Sequence, residues 1–171
     1  MNNSASFSLR PARTTDVPAI KELVAPLAEE RVLVAKETVA YFEGIQEMLL
    51  AVADDGEVIG CGALHVMWED LAEIRTLAAA PEWLGKGVGH VMVEELVQRA
   101  RKLGVSRVFC LTFEVEFFTR HGFAVMPDQS AVSPDVYSEL LRSHDEGVAE
   151  FLDLARVKPN TLGNTRMIKT L

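Results

Sequence analysis

The chain has 171 residues, with 25 acidic side chains against 17 basic ones and a formal net charge of −8. Apolar residues make up 49%, too many for a chain whose main state is disorder, and a domain of about 150 residues buries roughly 70% of its unfolded surface, enough for a core without staples. The acidic balance argues against nucleic acid and anionic membranes as partners and requires any anionic ligand to be held by local geometry.

Residues 1–6 read as a flexible tail ahead of one domain over 7–171. Phe7-Ser8-Leu9-Arg10 alternates apolar and polar, which predicts a short strand. Thr14-Thr15-Asp16 offers capping oxygens and Pro18 suits a first helical turn. Val17, Ile20, Val24 and Leu27 recur at helical spacing, so a helix is expected near 16–29. A weaker helix is expected over 36–47. The apolar run 48–53, the Asp54-Asp55-Gly56 turn signal and the return over 58–67 predict a hairpin. A third strand follows over 72–80 and stops at Pro81. The glycine-rich stretch 85–89 leads into a long helix ending near Gly104, with Val91, Met92, Leu96, Val97 and Ala100 on its buried face. A strand over 105–112, a helix over 114–121 and a strand over 123–126 come next. Beyond Pro127 a helix is expected from Ser133 to about His144, Asp145-Glu146-Gly147 reads as a helix-ending turn, 145–158 is ambiguous, and 165–171 alternates like a last strand. Hairpin-linked strands joined to one strand–helix–strand crossover predict an α+β fold with a mixed, mostly antiparallel sheet flanked by helices.

Cys61 and Cys110 sit in apolar runs and read as buried free thiols. The four histidines lack metal-ligand spacing, so no metal is expected. The N-terminus lacks a basic region followed by an apolar core, and no run approaches 18 apolar residues, so the expected compartment is the cytoplasm.

The segment most informative about chemistry is Leu77-Ala78-Ala79-Ala80-Pro81-Glu82-Trp83-Leu84-Gly85-Lys86-Gly87-Val88-Gly89-His90. Alternate glycines between a strand and a helix let main chain pass close to a bulky anion with several N–H groups pointing inward. The helix adds its own unpaired N–H groups and positive dipole end. Such a site can hold a pyrophosphate through backbone alone, with Lys86 as a nearby cation. The spacing fits neither the Walker A loop nor the dinucleotide fingerprint. A tight turn that binds nothing is the alternative.

With this loop, Phe117-Phe118-x-x-x-Gly122-Phe123 and the strand before the loop, residues 7 to about 125 and the last strand resemble the GNAT superfamily of acetyl-CoA-dependent N-acetyltransferases. Glu73-Ile74-Arg75-Thr76-Leu77-Ala78, Phe109-Cys110-Leu111-Thr112 and Asn164-Thr165-Arg166-Met167-Ile168 are most similar to the acetyltransferase domain of N-acetylglutamate synthase. The resemblance implies a short stand-alone enzyme that acetylates the α-amine of L-glutamate or L-glutamine, the first step of arginine biosynthesis. It implies that acetyl-CoA is held by Leu77, Ala78, Ala79, Leu84, Gly85, Lys86, Gly87, Val88, Gly89, His90 and Phe117. Phe118 stands where many members carry a thiolate-protonating tyrosine.

The resemblance also distributes roles. Glu73 is the expected base that frees the acceptor amine, directly or through water, with a pKa raised by burial. Backbone N–H near Leu77 is the expected oxyanion donor, and Thr112 matches the position suggested as the acid for the leaving thiolate. Lys36, Arg75, Thr76, Lys158, Asn160, Asn164, Thr165 and Arg166 are the expected acceptor contacts. Gly163 stands where the family pattern has an arginine, which leaves room for a neutral acceptor side chain. Expected partners are therefore small molecules, with a homodimer compatible with the sequence. Three alternatives stay open: another amine or a peptide N-terminus as acceptor, a non-catalytic acetyl-CoA sensor, and an interaction module built on 127–160.

Overall fold

A computed structural model describes residues 6–127, 132–161 and 163–171, with Asn160 described by its backbone alone. Tail residues 1–5 lie outside the described residues, and the Ser6 hydroxyl is hydrogen-bonded to Asp54. The strands are β1 (Phe7–Pro11), β2 (Met48–Ala53), β3 (Val58–Trp68), β4 (Leu71–Ala79), β5 (Arg107–Thr112), β6 (Ala124–Val125) and β7 (Thr165–Thr170). They form a mixed sheet in the order β1-β2-β3-β4-β5-β7-β6. The helices are α1 (Val17–Glu29), α2 (Thr38–Glu43), α3 (Val88–Lys102), α4 (Val115–Arg120), α5 (Pro134–Leu140), α6 (Glu146–Phe151) and α7 (Lys158–Thr161). The chain divides into two compact units, one of residues up to 65 with 74–99, the other of 66–73 with 100–171.

In the first unit, β1 and β3 flank β2 antiparallel, with a register shift between Ala51 and Val52. α1 buries Val17, Ile20 and Val24, spaced for one helical face. These side chains share a core with Tyr41, Met48, Leu50, Cys61, Ala63 and Ala78. The entry to α1 is fixed electrostatically: Arg10 places two guanidinium nitrogens 2.8 Å from the two Asp16 carboxylate oxygens. That pairing holds Asp16 below its ordinary pKa, against burial, which acts the other way. Position 60 admits α3 closely. A Cβ on Gly60 would lie 2.8 Å from Val88 Cγ1, and one on Gly62 would lie 3.0 Å from Leu77 Cδ1.

In the second unit, β7 pairs antiparallel with β5 from Arg107↔Thr170 to Thr112↔Thr165 and with β6 on its other side. Leu71, Phe109, Met126, Leu140, Val148, Phe151 and Leu152 form its core. The rings of Phe109 and Phe151 meet edge to face at 5.3 Å, the geometry their quadrupoles favour. The start of β4 runs parallel to β5 for three residues, Leu71↔Arg107, Ala72↔Val108 and Glu73↔Phe109. Glu73 therefore closes that parallel ladder.

Several expectations need correction. The helix expected over 36–47 is α2 plus a separate 3₁₀ turn, Ile45–Glu47. The helix expected to run to His144 stops at Leu140. Asp145-Glu146-Gly147 begins a helix instead of ending one. Asp145 caps α6, its carboxylate accepting from Val148 N at 3.1 Å, the geometry that satisfies an otherwise unpaired amide. Val91 is 38% exposed and does not belong to the buried face of α3.

Candidate active site

The glycine-rich stretch forms a left-handed double bend. Gly85 has φ +74° and Gly87 has φ +85°, backbone that glycine adopts without steric cost. Among the described residues, nothing lies within 4 Å of where a Cβ would stand at either position, so the space over this main chain is open to a ligand. Gly89 differs, because it is already the second residue of α3. Leu84, Lys86 and His90 are exposed, while Val88 is buried and anchors the first turn of α3. Lys86 lies 5.2 Å from the centroid of the Trp83 ring, and its N–H donates to Trp83 O at 3.2 Å. His90 faces Glu94 one turn on, at 3.2 Å. Exposed main chain with left-handed bends at a helix N-terminus has the chemistry of a pyrophosphate cradle.

β4 leads into this bend. Ala78 is buried, Leu77 and Ala79 are half-buried, and Ala80 N donates to Ile59 O at 2.8 Å. Between them and Glu73 lies Thr76, whose φ is +56°. A β-branched residue in this region is a genuine outlier, costs on the order of 1–3 kcal/mol and persists only where its surroundings enforce it. Two hydrogen bonds do so. Lys36 Nζ donates to Thr76 Oγ1 at 3.0 Å, and Cys61 Sγ donates to the Thr76 carbonyl at 3.3 Å. Lys36 and Arg75 are half-buried. Burial pushes the Cys61 thiol up to about 12, against the opposing effect of Lys36. Tyr41, buried in the same core, has its phenol shifted upward by burial and by Cys61.

In the second unit Glu73 is buried, with 3% of its surface exposed. Burial, reinforced by the charge of Glu73, holds the Cys110 thiol well above its ordinary range. A thiol held protonated is a poor nucleophile. Thr112 ends β5, nearly buried, and its Oγ1 accepts the Glu114 N–H at 2.8 Å. That bond fixes the hydroxyl oxygen and leaves its proton for another acceptor. Opposite it across the ladder is Thr165. Phe117 sits on α4 with its ring 5.2 Å from Phe118 and 4.9 Å from His121. Asn164 is half-buried, and its N–H donates to Thr161 O at 3.1 Å.

Two predicted acceptor contacts carry bonds within the fold. Arg166 Nε donates to Glu150 O at 3.2 Å and a terminal nitrogen donates to Phe151 O, so the guanidinium caps the last carbonyls of α6. Lys158 is ion-paired with Asp153. The side chain of Asn160 lies outside the described residues. The feature that sequence reasoning missed is the left-handed backbone at Thr76. Nothing in Arg75-Thr76-Leu77, a plain strand sequence, announces it.

Residues 18–123 match the model of the Acetyltransferase (GNAT) family. The chain belongs to that family. It is 53% identical over 165 residues, 95% of this chain and 94% of the relative, to the amino-acid acetyltransferase of Mycobacterium tuberculosis. It is 33% identical over 121 residues to the amino-acid acetyltransferase of Neisseria meningitidis, matching 70% of this chain and only 28% of that longer protein. Among solved structures, the Mycobacterium tuberculosis protein Rv2747, determined in complex with CoA and a second ligand, superposes with TM-score 0.91 at 52% identity, over 96% of this chain and 99% of that one. The N-acetylglutamate synthase of Neisseria gonorrhoeae, complexed with coenzyme A and N-acetyl-glutamate, shares the fold at TM-score 0.78 and 24% identity, over 98% of this chain and 35% of that one. This GNAT chain therefore has the α+β architecture that its sequence predicts, with a mixed sheet of seven strands.

Proposed function

We propose that this chain transfers the acetyl group of acetyl-CoA to the α-amine of L-glutamate or L-glutamine, releasing the N-acetyl amino acid and CoA, the first step of arginine biosynthesis. The observation that carries the reading is the 53% identity, along nearly the full length of both chains, to an amino-acid acetyltransferase. Residues 7–171 act in it as one catalytic domain in the cytoplasm on small-molecule substrates, and a homodimer is the oligomeric state to test for.

The open backbone at Gly85 and Gly87 and the first turn of α3, Val88 to His90, receive the pyrophosphate of CoA, with Lys86 adding charge and Leu84 lining the bend. Leu77, Ala78 and Ala79 offer strand main chain to the pantetheine arm, and Phe117 packs at its thiol end. Glu73 takes a proton from the acceptor ammonium, directly or through water. A carboxylate drawn out of water accepts a proton more readily, and such a base contributes roughly 10²–10⁴-fold. The freed amine attacks the thioester carbonyl, whose oxygen takes up negative charge and is met by the Leu77 N–H. The carbon–sulfur bond then breaks with its electron pair on sulfur, the nitrogen gives up its second excess proton to solvent, and the departing thiolate takes up a proton from solvent to leave as CoA. Thr112 presents its hydroxyl proton to the departing sulfur as a hydrogen bond. Lys36, Arg75, Thr76, Asn164 and Thr165 supply the cationic and polar contacts that an amino acid with a carboxylate requires. Buried, protonated Cys110 supports direct transfer over a covalent acetyl-enzyme route.

Thiol release from acetyl-CoA, followed with glutamate and with glutamine and against a panel of other amines, tests this reading. Release that depends on either amino acid supports it. Release only with another amine renames the acceptor, and CoA binding without release under any condition favours a sensor.

A further inference from the structure

Five facts about one short stretch of the first unit bear on each other. Thr76 has φ +56° in the middle of β4. Its side chain is nearly buried. Its hydroxyl oxygen accepts from Lys36 and its carbonyl accepts from Cys61. Cys61 is wholly buried on β3, a neighbour of β4 in the sheet. The next amide along the chain is that of Leu77.

In a regular strand, a carbonyl facing a neighbouring strand is met by a main-chain N–H. A left-handed residue rotates the peptide planes on either side of it, and so redirects its carbonyl relative to its neighbours in the strand. At Thr76 the acceptor turned out in this way is met by a side-chain thiol. Burial keeps the proton on that sulfur, so the donor is present across the whole working range of pH. Lys36 fixes the same residue from its other end, through the hydroxyl. The thiol bond holds the Thr76 carbonyl in its present direction, and the Lys36 bond tethers the side chain of the same residue. Relaxation would swing the Leu77 N–H to a new direction.

We infer that Cys61 is a positioning residue for acetyl transfer: with Lys36 it locks Thr76 in the left-handed conformation and so aims the Leu77 N–H at the thioester oxygen. The inference rests on the acetyl-transfer reading above and adds to it a function for a thiol that makes no contact with substrate. Cys61 acts through its hydrogen bond and not through nucleophilic or redox chemistry.

The test compares Cys61→Ala with Cys61→Ser in the full chain. Serine keeps a donor of similar size toward the Thr76 carbonyl, and alanine removes it. The readouts are kcat and KM for acetyl-CoA, with the ¹³Cα and ¹³Cβ chemical shifts of Thr76 as a report on its backbone that needs no turnover. In Cys61→Ala we expect kcat to fall about tenfold, part of the roughly 10²–10³ that losing an oxyanion donor costs. KM for acetyl-CoA should stay within about twofold, since uniform binding is untouched. The Thr76 shifts should move toward strand values, and Cys61→Ser should keep both kcat and the left-handed shifts. The inference is overturned if Cys61→Ala keeps its kcat, if alanine and serine lose activity equally, or if kcat falls while the Thr76 shifts stay in place. Failure of the wild-type chain to release thiol with any amine would overturn the transfer reading, and the Thr76 shifts would still decide whether Cys61 holds the backbone.

Discussion

Lys36 and Thr76, forty residues apart, are joined by a 3.0 Å hydrogen bond from the lysine ammonium to the threonine hydroxyl, and the residue that is held has a backbone conformation threonine rarely adopts. The conformation and the bond can be separated by substitution. Thr76→Ala loses the bond and keeps a Cβ in left-handed backbone. Thr76→Gly loses the bond as well but relieves that backbone, where a Cβ costs roughly 1–2 kcal/mol. Urea unfolding should therefore find Thr76→Gly at least as stable as Thr76→Ala. A glycine variant clearly less stable than the alanine variant would contradict the strained geometry.

Gly85 and Gly87 allow a test of the cradle that avoids packing effects, because among the described residues an added Cβ meets nothing within 4 Å at either position. The only expense of alanine there is backbone strain at φ +74° and +85°, about 1–2 kcal/mol each. If the free bend of Gly87→Ala relaxes to negative φ, that strain is met on binding, so CoA affinity should fall by about 5- to 30-fold in calorimetry, the equivalent of that energy, while the melting temperature changes little. Unchanged affinity would separate this bend from the cofactor.

The two thiols make the alkaline limb of stability predictable. Both are raised above the ordinary value of 9.0, Cys61 to about 12 and Cys110 upward by burial and by Glu73. A group whose folded pKa lies above its unfolded one stabilises fully below the unfolded value and loses that contribution as pH rises through the folded value. Unfolding midpoints should thus decline from pH 9 upward, and less steeply in a chain with both cysteines replaced by serine. Ellman's reagent at pH 8 should label neither thiol until denaturant is added. Fast native labelling would contradict the burial.

Arg166 separates a structural role from a substrate role. Its guanidinium closes the carbonyl end of α6, so Arg166→Met should lower stability by about 1.5–3 kcal/mol, the range for a hydrogen bond involving a charged group. KM for the amino acid should stay within about twofold in the same variant. A large rise in KM with stability unchanged would assign Arg166 to the acceptor site.

Much of this fold is written locally. The period of Val17, Ile20 and Val24, the Asp-Gly turn after Ala53 and the proline after Ala80 each constrain a few adjacent residues, and the corresponding elements stand where those signals put them. The region after Pro127 reads poorly because its short helices are decided by packing on Phe109 and Leu71, which are distant in sequence. Asp145 shows the ambiguity in one residue: an acidic side chain before a glycine reads as a stop, yet its carboxylate caps the helix that follows. The glycine bend was legible because left-handed backbone selects glycine. The left-handed Thr76 was not, since the groups that enforce it, Lys36 and Cys61, reach it only once the strands are assembled.

Glu73, buried where the parallel ladder of β4 and β5 ends, is the proposed base, and Glu73→Gln preserves its shape while removing its capacity to take a proton. The decisive measurement is turnover of this variant with glutamate and glutamine beside its affinity for CoA by calorimetry. The account predicts a loss of kcat of roughly 10²–10⁴-fold with CoA affinity unchanged. Undiminished turnover in Glu73→Gln would contradict it.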